Sequence, residues 1–239
     1  MSEPVTCELP RTGRLSDLKR HVLEDTSLAV REFRSGQNLT READLLAHCP
    51  LLLDGFACCY KLLEDGRRQI IALHLPTELC NLSTLLLGHL AHGIGTLTPA
   101  RVAFVPHATI LAWIGDHPDR MQALWRATLV DTAISQEWIV NTGRRTAYQR
   151  TAHLLCEFLT RMRRAGLAEG LSCSMPFTKG ELADALALTG VQVNRALEWL
   201  RDENLAEVRG ETLTVLDWSG LASLAGFDPT YLHHIGAAN

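Results

Sequence analysis

TKGELADALALTGVQVNRALEWLRDENL, running from Thr178 to Leu205, decides how the rest of the chain is read. Thr178 and Glu181 stand three apart, the spacing at which a hydroxyl and a carboxylate satisfy the loose amides of a helix start. Leu182 and Leu186 follow four apart, so a short helix buries one face. After Leu188 the pattern repeats. Thr189 and Gln192 form a second capping box, and Val193, Leu197 and Leu200 supply the buried face of the helix it opens. Two short helices joined by a tight link read as a helix-turn-helix, whose second helix fits a DNA major groove. On that helix Gln192, Asn194, Arg195 and Glu198 lie off the apolar stripe, where such side chains can read base edges.

Working outward, Leu205 to Val208 and Thr212 to Leu216 are short β-prone runs joined through Arg209, Gly210 and Glu211, which is hairpin chemistry. A helix-turn-helix followed directly by a hairpin is a winged helix. The competing reading is a small helical bundle that makes only protein contacts. Local charge keeps it open, because Thr178 to Gly210 holds four basic and six acidic side chains, a poor footprint for DNA. The span from Asn141 to Ala165 offsets this, with Arg144, Arg145, Arg150, Arg161, Arg163 and Arg164 against Glu157 alone.

The chain has 239 residues, 46% hydrophobic and 21% charged, enough to bury a core without disulfide staples. A net charge of −4 means that any nucleic-acid surface is local. No signal peptide and no apolar run long enough to cross a bilayer stands out, so a cytoplasmic protein is expected. Seven cysteines without a Cys-x-x-Cys pair argue against a disulfide framework, a structural zinc or an iron–sulfur cluster. Most are expected to be small buried hydrophobes, with Cys156 and Cys173 noted as redox candidates. An enzyme is not expected. The chain has no Gly-x-Ser-x-Gly elbow, no phosphate-cradling Gly-rich loop with Lys-Ser/Thr and no His-Glu-x-x-His.

Upstream, residues before Gly13 read as a mobile tail and Arg14 to Leu23 as a short helix. Leu51 to Leu53 run into the turn pair Asp54-Gly55 and then Phe56 to Leu63. Glu64-Asp65-Gly66 closes a hairpin onto Gln69 to Leu75. The block from Leu85 to Thr98, with Gly88, Gly93 and Gly95, leads into a strand from Arg101 to Val105. Short strands with glycine turns at this spacing predict an antiparallel barrel or roll. Pro118 then opens a helix that runs to about Asn141. Its Leu124, Trp125, Leu129, Ile134, Trp138 and Ile139 face more than one side, which asks for partners on two faces. One face can cover the β domain and the other a second copy of the chain, or the helix packs only within its own subunit. Thr142-Gly143 is read as a break, Arg144 to Arg164 as a helix, Gly166 to Pro176 as a loop, and Trp218 to Ala225 as a last helix.

This order of roll, long helix, basic helix and winged helix resembles the Crp/Fnr superfamily of bacterial transcription regulators. The likeness rests on FTKGELADALALTGVQVNRALEWLRDENL, RGETLTVLDWSGLASLAGF and GRRTAYQRTAHLLCEFL. It implies an α+β fold, with an N-terminal cyclic-nucleotide-binding-like antiparallel β-roll over residues 14–117. A dimerisation helix over 118–142 and a winged helix-turn-helix DNA-binding domain over 143–239 follow. It implies a homodimer on a two-fold site in double-stranded DNA, with RNA polymerase as a further candidate partner and no membrane. By position Arg195 matches the family's guanine-pairing arginine, with Asn194 and Gln192 at neighbouring base- or phosphate-touching places. Val191 stands where many members carry a glutamate for cytosine, so a thymine methyl becomes its natural contact. Thr178 and Thr189 are read as caps first and phosphate contacts second.

Members that bind cyclic AMP carry a Gly-Glu pair and an Arg-Ser or Arg-Thr pair in the roll. Those places align here with Asn81-Leu82 and Leu90-Ala91. With no cation for the phosphate and no carboxylate for the sugar, cyclic nucleotide binding is not expected, and the effector is left open. The family's iron–sulfur branch needs a cysteine cluster that Cys7 alone does not supply. No cofactor or metal is expected. His89 and His92, three apart, would share a metal on a helix, and a lone histidine would serve haem as an axial ligand. The second functional reading is therefore a haem or small-molecule sensor whose helical end contacts a protein partner.

Overall fold

The structure, a computed structural model, describes residues 28–42 and 46–233. The tail, the helix expected over Arg14 to Leu23, and Cys7 lie outside the described residues. The described residues divide into two compact units, one of residues 28–42, 46–59 and 73–132 and one of residues 60–72 and 133–233.

In chain order the first seven strands are β1 (Ala29–Phe33), β2 (Asn38–Thr40), β3 (His48–Asp54), β4 (Ala57–Leu62), β5 (Arg68–His74), β6 (Gly93–Thr96) and β7 (Ala100–Pro106). They form two sheets, ordered β1-β7-β3 and β2-β6-β4-β5, with β7 antiparallel to both its neighbours. In β3 five successive residues, Cys49 to Leu53, are buried, so both faces of the strand are covered and no two-residue alternation shows in the sequence. Helices α1 (Thr84–Leu87) and α2 (His107–Ile114) close the unit with the start of α3 (Pro118–Arg144). Leu51, Leu53 and Val105 from the strands meet Ile110, Trp113 and Leu124 from the helices in one apolar cluster.

Asp54-Gly55 does not turn a hairpin. It carries the chain from β3 in one sheet to β4 in the other. The corner is tight. Gly55 has φ +81°, and a Cβ there would stand 2.3 Å from the Pro99 carbonyl oxygen and 2.9 Å from the Ala100 Cα. The Phe56 amide donates to Thr98 Oγ1 at 2.9 Å and the Leu97 amide to the Phe56 carbonyl at 2.8 Å, so the flanking backbone has no room to retreat. The turn at Glu64-Asp65-Gly66 does join neighbouring strands, β4 and β5, as expected.

The second unit contains the end of α3, then α4 (Ala147–Arg164), β8 (Ala168–Glu169), β9 (Ser172–Ser174), α5 (Lys179–Leu186), α6 (Gly190–Asp202), β10 (Ala206–Arg209), β11 (Thr212–Val215), α7 (Trp218–Ala225) and a 3₁₀ turn at Pro229–Leu232. Two expectations are corrected. The long helix passes through Thr142 and Gly143 to Arg144, because one glycine costs a helix only about 1 kcal/mol. The break comes instead at Thr146, whose side chain makes a capping box with Gln149. The loop expected over Gly166 to Pro176 contains β8 and β9, and β9 joins the wing in a sheet ordered β10-β11-β9-β8.

Between the helices of this unit lies a buried polar network. Glu157 on α4 is 1% exposed. Its carboxylate accepts from Trp138 Nε1 at 3.0 Å and from the Tyr231 hydroxyl at 2.8 Å, and Arg161 Nη1 stands 3.5 Å away. One turn before it, His153 stacks on Tyr231 and meets the edge of Phe227. Glu137 Oε1 receives Arg145 Nη2 at 2.7 Å and stands 3.2 Å from His153 Nε2, yet neither ring nitrogen of His153 makes a hydrogen bond. Burial and the Arg145 charge bring the imidazole down to about 3. Burial pushes the Glu157 carboxyl up, against the pull of Arg161, Tyr231 and Trp138.

Two outcomes follow. Gly55→Ala should destabilise the roll by about 2 kcal/mol or more, read as a lower urea midpoint, since it adds left-handed strain to a backbone clash. The second concerns pH. His153 gains a proton near 6.5 in the unfolded chain and only near 3 in the native one. Its contribution is therefore complete above pH 6.5 and is lost as pH falls toward 3, at up to about 1.4 kcal/mol per pH unit. The raised carboxyl of Glu157 acts in the opposite sense, costing stability as pH climbs above the ordinary glutamate range. His153→Gln should flatten the fall in urea midpoint between about pH 6.5 and 5; an unchanged slope would mean that the native imidazole is already charged.

Candidate nucleic-acid interface

Helix α5 begins where the sequence says it should. The Glu181 amide donates to Thr178 Oγ1 at 3.1 Å, and Glu181 Oε2 accepts from the Thr178 amide at 2.7 Å. The helix ends on Ala187 in the left-handed region (φ +52°), a conformation that an alanine holds only under local constraint. Part of that constraint comes from Arg150 on α4, whose Nη1 donates to the carbonyls of Leu186 at 3.2 Å and Ala187 at 3.3 Å. Those are among the carbonyls that a helix end leaves open. Two residues on, the Gln192 amide donates to Thr189 Oγ1 at 3.3 Å, and Gln192 Oε1 accepts from the Thr189 amide at 2.9 Å. The turn is thus held from both ends and from behind.

Leu182 and Leu186 are buried, as are Val193 and Leu200. Leu197 is only half-buried; Ala196, absent from the expected stripe, is fully buried and lets α6 approach its neighbours closely. On the opposite side Val191 is 62% exposed and Arg195 is exposed, and among the described residues Arg195 makes no hydrogen bond or ion pair. The other expected readers are tied down. Gln192 spends its amide oxygen on the cap. Asn194 lies between Lys179 Nζ, which donates to its oxygen, and Glu198, whose Oε1 accepts from its Nδ2 at 2.7 Å. Glu198 therefore partners Asn194 and not Arg195. Thr178 and Thr189 both turn their hydroxyls to their own caps.

The arginine-rich segment needs a larger correction. Arg145 donates to Glu137 and to the Ala225 carbonyl, and Arg150 closes the helix-turn-helix turn. Arg161 pairs with the buried Glu157, and Arg164 donates to the Leu232 carbonyl. Four of the six arginines thus bind protein; Arg144 and Arg163 are exposed. At the wing, Arg209 pairs at 2.8 Å with Glu207, two residues back along β10. Also within this unit, Arg68 on β5 pairs with Asp184 on α5 at 2.7 Å.

In the roll, Leu82 and Leu90 are buried at two of the positions aligned with the family's cyclic-nucleotide contacts. His89 and His92 do not share a helix. They sit in the loop after α1, with His89 Nδ1 3.0 Å from the Leu87 carbonyl and His92 Nε2 3.0 Å from Asn81 Oδ1. Among the described residues no three His, Cys, Asp or Glu side chains form a group able to hold a metal ion. No described helix is long and apolar enough to cross a membrane.

Comparison with known proteins agrees with this architecture. Residues 149–224 match the model of the Crp-like helix-turn-helix domain, and residues 30–117 match that of the cyclic nucleotide-binding domain. The transcriptional activator protein FnrL of Cereibacter sphaeroides is 26% identical over 202 residues, covering 83% of this chain and 81% of the relative. The nitrogen fixation regulation protein FixK of Rhizobium meliloti is 26% identical over 201 residues, covering 82% and 86%. Among solved structures, FixK2 from Bradyrhizobium japonicum shares the fold with a TM-score of 0.74 at 24% identity, covering 84% of this chain and 98% of that one. With a cyclic-nucleotide-binding-type domain and a Crp-like reader in one chain, matched along most of their length by regulators of this kind, the protein belongs to the Crp/Fnr superfamily of DNA-binding transcription regulators.

Proposed function

We propose that the protein works as a homodimer on a two-fold DNA site, with α6 of each copy in a major groove. The observation that carries this reading is the surface of α6 itself. Arg195 and Val191 stand exposed on a helix whose start, turn and buried face are all fixed. Arg195 would pair with a guanine and Val191 would cover a thymine methyl, while Asn194 reaches a base or phosphate on releasing Glu198. Thr178 and Thr189 lie at helix N-termini, where a phosphate is welcome once the caps are made. Exposed apolar side chains along α3 support pairing of two copies: Met121, Trp125, Leu129, Ile139 and Val140 are 43%, 65%, 54%, 70% and 47% exposed. That helix now runs over 118–144, between a roll ending at 117 and a DNA-reading part that starts at α4.

The proposed role is binding without catalysis, in the cytoplasm. Regulators named as activators among the relatives favour RNA polymerase as the partner of the bound dimer. The roll, lacking the charged pair for phosphate and ribose, would not answer to cyclic AMP. A different reading, a haem or small-molecule sensor whose helical end meets a protein, draws on one observation: most arginines of α4 and its approach are used internally.

Salt separates the two. A DNA reader loses affinity steeply as salt rises, through counterion release, whereas a protein-contacting module does not bind random duplex at all. On a site selected from a random duplex pool, Arg195→Ala should cost roughly 1–3 kcal/mol, with little change on random duplex. Equal losses on both would move Arg195 from bases to backbone. Titration with cyclic AMP should give no saturable binding in the micromolar range; a saturating isotherm there would restore nucleotide control.

A further inference from the structure

The roll contains a cluster that the DNA-reading role does not use. Cys59 on β4 is 3% exposed, and its Sγ lies 3.2 Å from His74 Nε2. Cys80, fully buried, lies within electrostatic reach of the same ring, so one imidazole faces two thiols. On its far side His74 Nδ1 stands 3.7 Å from Glu78 Oε2, and that same oxygen accepts from the Leu75 amide at 3.0 Å, which fixes the carboxylate. Asn81 completes the cluster. Its Oδ1 is 3.7 Å from Cys59 Sγ and 3.0 Å from His92 Nε2, while its buried Nδ2 has no partner. Thiol, imidazole and carboxylate in line form the arrangement that activates a sulfur nucleophile.

We propose that Cys59, His74 and Cys80 form a thiol redox site in the roll, oxidised by small uncharged hydroperoxides to a Cys59–Cys80 disulfide.

The chemistry balances in two steps. The Cys59 thiolate attacks one peroxide oxygen and the O–O bond breaks. The departing alkoxide or hydroxide takes the proton held by His74, leaving Cys59 as a sulfenic acid and releasing alcohol or water. Cys80 then attacks the Cys59 sulfur, and the sulfenic hydroxyl leaves as water with the Cys80 proton, relayed by His74. The sulfurs lose two electrons and the peroxide gains them. A half-turn of the Asn81 amide would aim its orphaned Nδ2 at the thiolate. Burial restricts the reagent to one small and neutral enough to enter.

Electrostatics agree with the geometry. Burial alone would push the Cys59 thiol up, but His74, with help from His92, outweighs it and brings the group from 9.0 to about 6. His74 moves up in return, held charged by the two sulfurs against its own burial. Burial raises Cys80 as well, so it keeps its proton until His74 relays it, and Cys49, Cys156 and Cys173 are pushed by burial up to about 11, 12 and 11, which leaves them protonated. That argues against Cys156 and Cys173 as the redox positions.

Rate alone is a weak readout. At pH 7 a thiol near 6 is about ninetyfold more ionised than one near 9, but its lower nucleophilicity cancels most of this, leaving about a three- to sixfold advantage. The pH midpoint discriminates. Full-length folded protein treated with hydrogen peroxide and then alkylated should yield a linked Cys59–Cys80 peptide on mass mapping. Cys80→Ser should instead accumulate a dimedone-trapped sulfenic acid at Cys59, and Cys59→Ser should give neither product. In the unsubstituted protein, alkylation of Cys59 by a neutral reagent should show a midpoint near 6, moving toward 9 in His74→Gln. A midpoint near 9 before any substitution, or oxidation confined to other cysteines, overturns the proposal whether or not the variants fold.

Discussion

The carboxylate of Glu157 is the constraint on which the second unit depends. It is buried on α4 and receives Trp138 from α3, Arg161 from its own helix and Tyr231 from the C-terminal turn. Taking such a charge out of water costs several kcal/mol, and removing one partner of a buried pair typically costs about 3–5 kcal/mol. Each donor is therefore held to its place by what its loss would leave behind. A hydrophobic contact of equal area would tolerate sliding; a carboxylate with directed donors does not. The consequence is that α4 has one seat against α3 and the C-terminal turn. Arg150, further along α4, then fixes where α5 stops and α6 begins.

The same economy of arginines shapes the reading surface. Basic residues that composition assigns to phosphate are mostly bound to protein carbonyls and carboxylates. Of the two exposed arginines of α6, Arg201 pairs with Asp202, and Arg195 stands beside a neutral Val191 and an Asn194 held between Lys179 and Glu198. A surface with few cations binds random duplex weakly, so what affinity it has must come from fitting particular base edges. Lys179 and Glu198 also fix which face of the Asn194 amide is presented, since one takes its oxygen and the other its nitrogen.

The roll keeps the strands of a cyclic-nucleotide-binding-type domain and carries its own side chains at the aligned contact positions. Leu82 and Leu90, at two of those positions, are buried. Nearby, two thiols and an imidazole occupy a region closed to water, where charges interact more strongly than at a surface. Fold and ligand are separable because strand pairing needs only backbone and apolar faces, while recognition rests on a few side chains.

Much of this was legible in the sequence. Both capping boxes, at Thr178 and Thr189, the wing at Gly210 and the last helix at Trp218 all depend on interactions between residues at most four apart or on one tight turn, so spacing alone reveals them. The apolar stripe of α6 was nearly right, missing Ala196 because alanine carries little hydrophobic signal. Sheet assignment was not legible. Asp54-Gly55 has the same local chemistry whether it closes a hairpin or crosses between sheets, and only the close approach of Pro99 and Ala100 distinguishes the two. Nor could spacing show that Arg145, Arg150, Arg161 and Arg164 bind groups of the protein itself, that Arg161 meets a buried Glu157, or that Cys59, His74 and Cys80 lie together. The residues alone determined the helix-turn-helix, the wing and the family likeness, because those are written in short-range periodicity. Tertiary structure decided which charges face water and which thiols lie beside an imidazole, because burial and distance-dependent electrostatics exist only once distant segments are packed together.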